Sequence, residues 1–176
     1  MDKLLTDLMT DGFHPLIVKT IAWQDEPATQ AFAQDLAKQP AIANALVELR
    51  GDLGAGKTTF VRHLLASLGV QGRIKSPTYA VVEAYTLPSA VGTSAPEGVF
   101  NIWHFDFYRF NDPREWEEAG FRDIFASPGL KLVEWPEKAG AYLPKPDLKI
   151  NIGVLDSDAR SVTLEACTQT GVELIA

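Results

Sequence analysis

The segment Gly51-Asp52-Leu53-Gly54-Ala55-Gly56-Lys57-Thr58 sets three glycines, a lysine and a hydroxyl in the spacing G-x-x-x-x-G-K-[ST]. Glycine removes side chains where backbone N–H groups must close around phosphate oxygens. Lys57 supplies a point charge able to reach the β- and γ-phosphates, and the Thr58 hydroxyl suits a magnesium ion. With Thr59 next in line, Gly51, Asp52, Leu53, Gly54, Ala55, Gly56, Lys57, Thr58 and Thr59 form the expected nucleoside triphosphate contact.

Such a site also needs carboxylates at the ends of nearby hydrophobic strands. Asp106 follows Phe100-Asn101-Ile102-Trp103-His104-Phe105, and Glu134 follows Leu130-Lys131-Leu132-Val133. One could hold a metal ion while the other orients the attacking water, and spacing alone leaves those roles open. Ser76-Pro77-Thr78 reads either as a proline turn or as a switch whose Thr78 hydroxyl nears the γ-phosphate. His104 reads as a structural strand residue, and Tyr108 and Arg109 as surface or core-edge groups.

The elements around these residues follow from periodicity. Residues 45–49 form a short strand, and after the glycine-rich turn Phe60, Val61, Leu64, Leu65 and Leu68 recur on one side of a helix that Gly69 can end. A strand over 16–22 precedes a helix from Asp25-Glu26-Pro27 to about Lys38, whose expected buried stripe is Ala28, Phe32 and Leu36. Further strands are expected at 79–85, 99–107, 130–135, 148–154 and 161–166. Asp112, Pro113 and Glu115 start a short helix carrying Trp116 and Phe121, and the connection 87–98 reads as a surface loop. The expected fold is a single α/β domain over 16–176, a mixed sheet flanked by helices, with parallel strands near the phosphate loop. Residues 1–15 read as a leader.

A chain of 176 residues that is 46% hydrophobic fits one domain with a substantial core. Its net charge of -7 disfavours unaided binding to a polyphosphate backbone, so any nucleic acid is expected on a partner. One cysteine, Cys167, rules out an intrachain disulfide and a cysteine-based zinc cluster. The sequence has neither a recognisable secretion signal nor an apolar run near the roughly 20 residues of a membrane span, so a cytoplasmic setting is expected.

Four blocks carry a resemblance: GDLGAGKTTF at 51–60, KSPTY at 75–79, HFDFYR at 104–109 and LVEWPE at 132–137. In this order and spacing the chain resembles the TsaE family, formerly YjeE, of tRNA threonylcarbamoyladenosine biosynthesis, over about residues 26–160. The resemblance implies a small P-loop ATPase, with ATP as substrate and Mg2+ as cofactor. It implies action beside TsaB and TsaD, the latter modifying adenosine 37 of tRNAs that read codons beginning with A. It further implies that Thr58 and Glu134 form the magnesium site, that Asp106 is needed for hydrolysis and that Thr78 lies in a switch-like block. Arg160 then approaches the nucleotide from a C-terminal turn, and Glu26 belongs to a segment flanking the base.

Two other classes use the same loop. A small-molecule kinase would need a basic lid, whereas 87–98 contains no Lys or Arg. A guanine-reading switch would carry an Asn-Lys-x-Asp segment, which the sequence lacks. Slow hydrolysis of ATP, accelerated by partners, is the expected activity.

Overall fold

A computed structural model describes residues 14–88, 98–156 and 158–176. Residues 1–13, most of the expected leader, and 89–97 of the expected surface loop lie outside them.

The described strands are β1 (Ile17–Trp23), β2 (Leu46–Arg50), β3 (Val82–Pro88), β4 (Val99–Asp106), β5 (Leu130–Glu134), β6 (Leu148–Val154) and β7 (Arg160–Ala166). They form one sheet in the order β1-β7-β6-β2-β5-β4-β3. β6, β2, β5 and β4 run parallel, while β1, β7 and β3 join antiparallel. The mixed α/β fold expected from the sequence is therefore present. Its parallel centre places the C-terminal ends of β2, β5 and β4 together, which is where ligands bind in open sheets of this kind.

Alternation along the strands divides the apolar residues between two cores. Val47, Leu49, Ile102, Leu132 and Ile150 face helices α1 (Glu26–Ala37) and α2 (Lys57–Leu68). On the other face Leu46, Phe105 and Val133 join Phe107, Phe110, Trp116 and Phe121, the last four from the chain around α3 (Arg114–Glu118) and α4 (Arg122–Ala126). The α3 start is a capping box: Asp112 Oδ1 accepts from the Arg114 N–H at 2.9 Å, and Glu115 Oε1 accepts from the Asp112 N–H at 2.9 Å. A short helix α5 (Gln169–Leu174), capped by the Thr168 side chain, has no counterpart in the sequence reading.

Two expectations are corrected. In α1 the fully buried residues are Thr29, Ala33 and Leu36, whereas Ala28 and Phe32 are only partly covered, because α1 leans on α2 rather than lying flat on the sheet. The apolar face expected of α2 is present, with Phe60, Val61, Leu64 and Leu65 buried and Leu68 partly buried against the same core. Residues 79–81 do not extend β3. There the chain turns, with Val81 at φ 68°, its N–H donating to Pro77 O at 2.6 Å and its carbonyl accepting from the Asp106 N–H at 2.9 Å. These bonds, one local and one to the end of β4, override the β preference of Tyr79 and Val81.

Candidate functional site

The phosphate loop joins β2 to α2. Gly51 sits at φ 146°, and a Cβ there would lie 2.4 Å from Ile152 O, so only glycine lets the loop pass beside β6. Gly56, at φ 108°, precedes α2 and supplies no side-chain cap. The first N–H groups of α2 are thereby left for an anion, in line with the positive end of the helix.

A cleft of about 280 Å³ opens above this helix start. Leu53, Gly54, Gly56, Lys57, Thr58 and Thr59 form its loop side, and Thr78, Asp106 and Glu134 its opposite wall, with Ser76, Tyr108 and Trp135. A second lobe of about 380 Å³ shares Gly56 and Thr59 and is lined by Ala55, Glu26, Arg160, Trp23, Asp25, Thr29 and Asp158. Gly51 and Asp52 wall neither lobe; their carbonyls accept from Lys57 Nζ at 2.6 and 3.0 Å.

Lys57 is 4% exposed, and its ammonium lies 4.0 Å from the Trp135 ring centre. Burial pushes its pKa below the ordinary lysine value, while the negative charges of Glu134, Glu137, Asp106 and Asp52 push it back up. Trp135 reaches over Lys57 because it turns into the left-handed region, φ 58°, directly after β5. Val81 and Trp135 are the two non-glycine residues with positive φ among the described residues, and each adjoins a site carboxylate. Strain of this kind, on the order of 1–3 kcal/mol per residue, persists where surrounding contacts over-determine the backbone.

The two carboxylates stand side by side, since Asp106 and Glu134 are register partners on β4 and β5. Both are nearly fully buried, so each must be satisfied by donors. Glu134 accepts from the Thr58 hydroxyl, 3.0 Å from Oε1 and 2.9 Å from Oε2, and Oε1 also meets His104 Nε2 at 2.8 Å. Asp106 Oδ2 accepts from the Ser76 and Thr78 hydroxyls, each at 2.9 Å, and Oδ1 from the Tyr108 N–H at 2.9 Å. Two differently wired carboxylates thus face one cleft.

The Thr58 hydroxyl and the Glu134 carboxylate are hard oxygen donors, the kind magnesium takes. Among the described residues no group of three or more His, Cys, Asp or Glu could hold a metal alone. The donor set therefore fits an ion shared with phosphates and water rather than one caged by protein.

Arg160 opens β7. Its Nε donates to Ala55 O at 2.8 Å and its Nη1 to Asp158 O at 2.8 Å, which fixes the guanidinium against the crown of the phosphate loop. Glu26 is placed in the second lobe with its carboxylate 3.0 Å from His63 Nε2. Sequence reasoning placed Ser76 in the candidate switch triplet without a contact of its own, and gave no site role to His104 or Tyr108. His104 could have been noticed two residues before Asp106 on the same strand face; the Tyr108 contacts, including a ring spacing of 5.0 Å to Trp135, depend on the turn after β4.

Fold and site define a P-loop nucleotide-binding protein. The model for "Threonylcarbamoyl adenosine biosynthesis protein TsaE" matches residues 23–162, and the chain belongs to the TsaE family of tRNA threonylcarbamoyladenosine biosynthesis. It is 42% identical over 145 residues to the protein TsaE of Haemophilus influenzae, covering 82% of this chain and 85% of the relative. It is 32% identical over 151 residues to TsaE of Bacillus subtilis, covering 85% and 87%. The crystal structure of YdiB from Bacillus subtilis superimposes with a TM-score of 0.66 at 29% identity, over 90% of this chain and 93% of that one.

Proposed function

We propose that the chain is a magnesium-dependent ATPase, slow alone, whose turnover serves threonylcarbamoylation of adenosine 37 through TsaD and TsaB. The observation that carries this reading is the convergence of Lys57, Thr58, Glu134 and Asp106 on one cleft, with the free N-terminus of α2 at its floor.

Backbone N–H groups and Lys57 bind the phosphates, Lys57 exchanging the Gly51 and Asp52 carbonyls for phosphate oxygens. Thr58 and Glu134 would hold magnesium, which when bound offsets the charge of the β- and γ-phosphates. Asp106, beside Glu134, orients a water whose oxygen bonds to the γ-phosphorus as the bond to the β,γ-bridging oxygen breaks. The products are ADP and inorganic phosphate, with the water's proton passing to phosphate or solvent. Ser76 and Thr78 hold Asp106 and form the element able to differ between nucleotide states. Trp23, Thr29, Glu26 and Arg160 flank the base side. Among the described residues no helix is long and apolar enough to cross a membrane, and a cytoplasmic place beside tRNA held by the partners follows the proposed role.

The test is product analysis and phosphate release with and without TsaD and TsaB. Free phosphate that rises with the partners supports the reading. Fast turnover indifferent to partners overturns the coupling, and a phosphorylated small molecule would make the chain a kinase.

A further inference from the structure

We propose that His104 is a positioning residue: it occupies Glu134 Oε1 and so presents Oε2, beside the Thr58 hydroxyl, as the carboxylate's metal-side oxygen. The inference rests on Glu134 being the metal-side carboxylate.

His104 is fully buried on β4, two residues before Asp106, and its register partner is Leu132. Glu134 is two residues beyond Leu132, so imidazole and carboxylate are diagonal neighbours on one face of the sheet. Nε2 stands 2.8 Å from Oε1. With Glu134 ionised, Nε2 must carry the proton it shares, because a carboxylate only accepts.

The second ring nitrogen sharpens the case. Nδ1 is buried with no hydrogen-bond partner among the described residues. A buried polar atom left unpartnered is destabilising, a cost that a leucine at this buried position would not carry. What the imidazole supplies that leucine cannot is the bond to Oε1. Thr58 has one hydroxyl proton and lies almost equally far from both carboxylate oxygens, at 3.0 and 2.9 Å, so it does not select between them. His104 does. Partners behind a ligating group that fix its orientation commonly change metal affinity 10–100-fold when lost.

The test compares His104→Gln, His104→Asn and His104→Leu, with Mn2+ as the probe, titrated by electron paramagnetic resonance onto the ADP complex of the full chain. A glutamine amide nitrogen reaches about where Nε2 stands, whereas that of asparagine falls short, near Nδ1. Glutamine is expected to keep Mn2+ affinity within about threefold of the parent, and asparagine and leucine to lose about tenfold or more. ADP affinity in EDTA is expected to be the same in all of them. The Gln and Asn variants both keep a polar amide, so this pair decides the matter even where the leucine variant fails to fold. Equal Mn2+ affinity in glutamine and asparagine overturns the proposal. Glu134→Gln tests the underlying reading separately: unchanged Mn2+ affinity there removes the metal role of Glu134 itself.

Discussion

The Thr78 hydroxyl donates to Asp106 Oδ2 at 2.9 Å, so the loop between α2 and β3 is tied to the carboxylate that ends β4. Ser76 shares the same oxygen and lies 2.8 Å from Thr78. Thr78→Ser keeps the donor and should retain turnover within a few-fold. Thr78→Val keeps the shape and removes the donor, and should lower phosphate release at saturating Mg-ATP by about 10²-fold, the lower end for misplacing a group that acts on a proton. A valine variant as fast as the parent would separate Thr78 from the chemistry.

Lys57→Met should cost about 1.5–3 kcal/mol of triphosphate affinity, the worth of a charge-assisted hydrogen bond, measurable by calorimetric titration with Mg-ATP. The nucleotide-free protein should melt no lower than the parent. Burying the ammonium is unfavourable, as the direction of its pKa shift shows, and methionine fills the same space without a charge. Unchanged affinity and turnover would sink the phosphate-loop assignment.

Glu134→Gln and Asp106→Asn should both slow hydrolysis by different routes. The Glu134 variant should need more magnesium to reach half-maximal rate, because a charged oxygen donor has become a neutral amide. The Asp106 variant should show its loss at saturating magnesium. If magnesium titrations of the two give superimposable curves, the separate roles assigned to them fail.

The phosphate loop was legible in the sequence because its chemistry is local: glycines, lysine and threonine act within nine consecutive positions. Asp106 and Glu134 were legible as strand-end carboxylates, but their pairing depends on β4 lying beside β5, a register that no local pattern encodes. The same limit concealed His104, whose role comes from a neighbouring strand. The strand expected over 79–81 is a turn, because the bond from the Val81 N–H to Pro77 O and the long-range bonds to Asp106 outweigh the strand preference of Val81 and Tyr79. Along α1, period alone could not tell which of two adjacent stripes would meet α2.

Gly51→Ala should be strongly destabilising. Its Cβ would meet the Ile152 carbonyl at 2.4 Å, a backbone contact within the sheet, at a φ that alanine rarely adopts. Thermal unfolding should report a loss on the order of 2–4 kcal/mol, as for other overpacked or strained sites. Gly54→Ala is the contrast. Beyond its chain neighbours, no atom of the described residues lies within 4 Å of its Cβ position, so the penalty there is limited to its φ of 81°. Equal losses at the two sites would show that β6 yields to the loop.

Trp135 and Trp23 should report on different parts of one ligand. Trp135 lines the phosphate lobe with Lys57 4.0 Å from its ring, while Trp23 lines the other lobe and packs on Phe60 at 5.6 Å. Drawing Lys57 from the Gly51 and Asp52 carbonyls onto a phosphate removes a cation from the Trp135 ring face, so emission should change with any ligand that fills the phosphate lobe. Tripolyphosphate with magnesium should therefore alter parent emission, and Trp135→Phe should remove most of that change. Mg-ADP should still alter the emission of the Trp135→Phe variant through Trp23. Adenosine alone should act through Trp23 only and give the same response in parent and variant. A tripolyphosphate response undiminished in Trp135→Phe would place the reporting indole elsewhere and undo the coupling of Lys57 to Trp135.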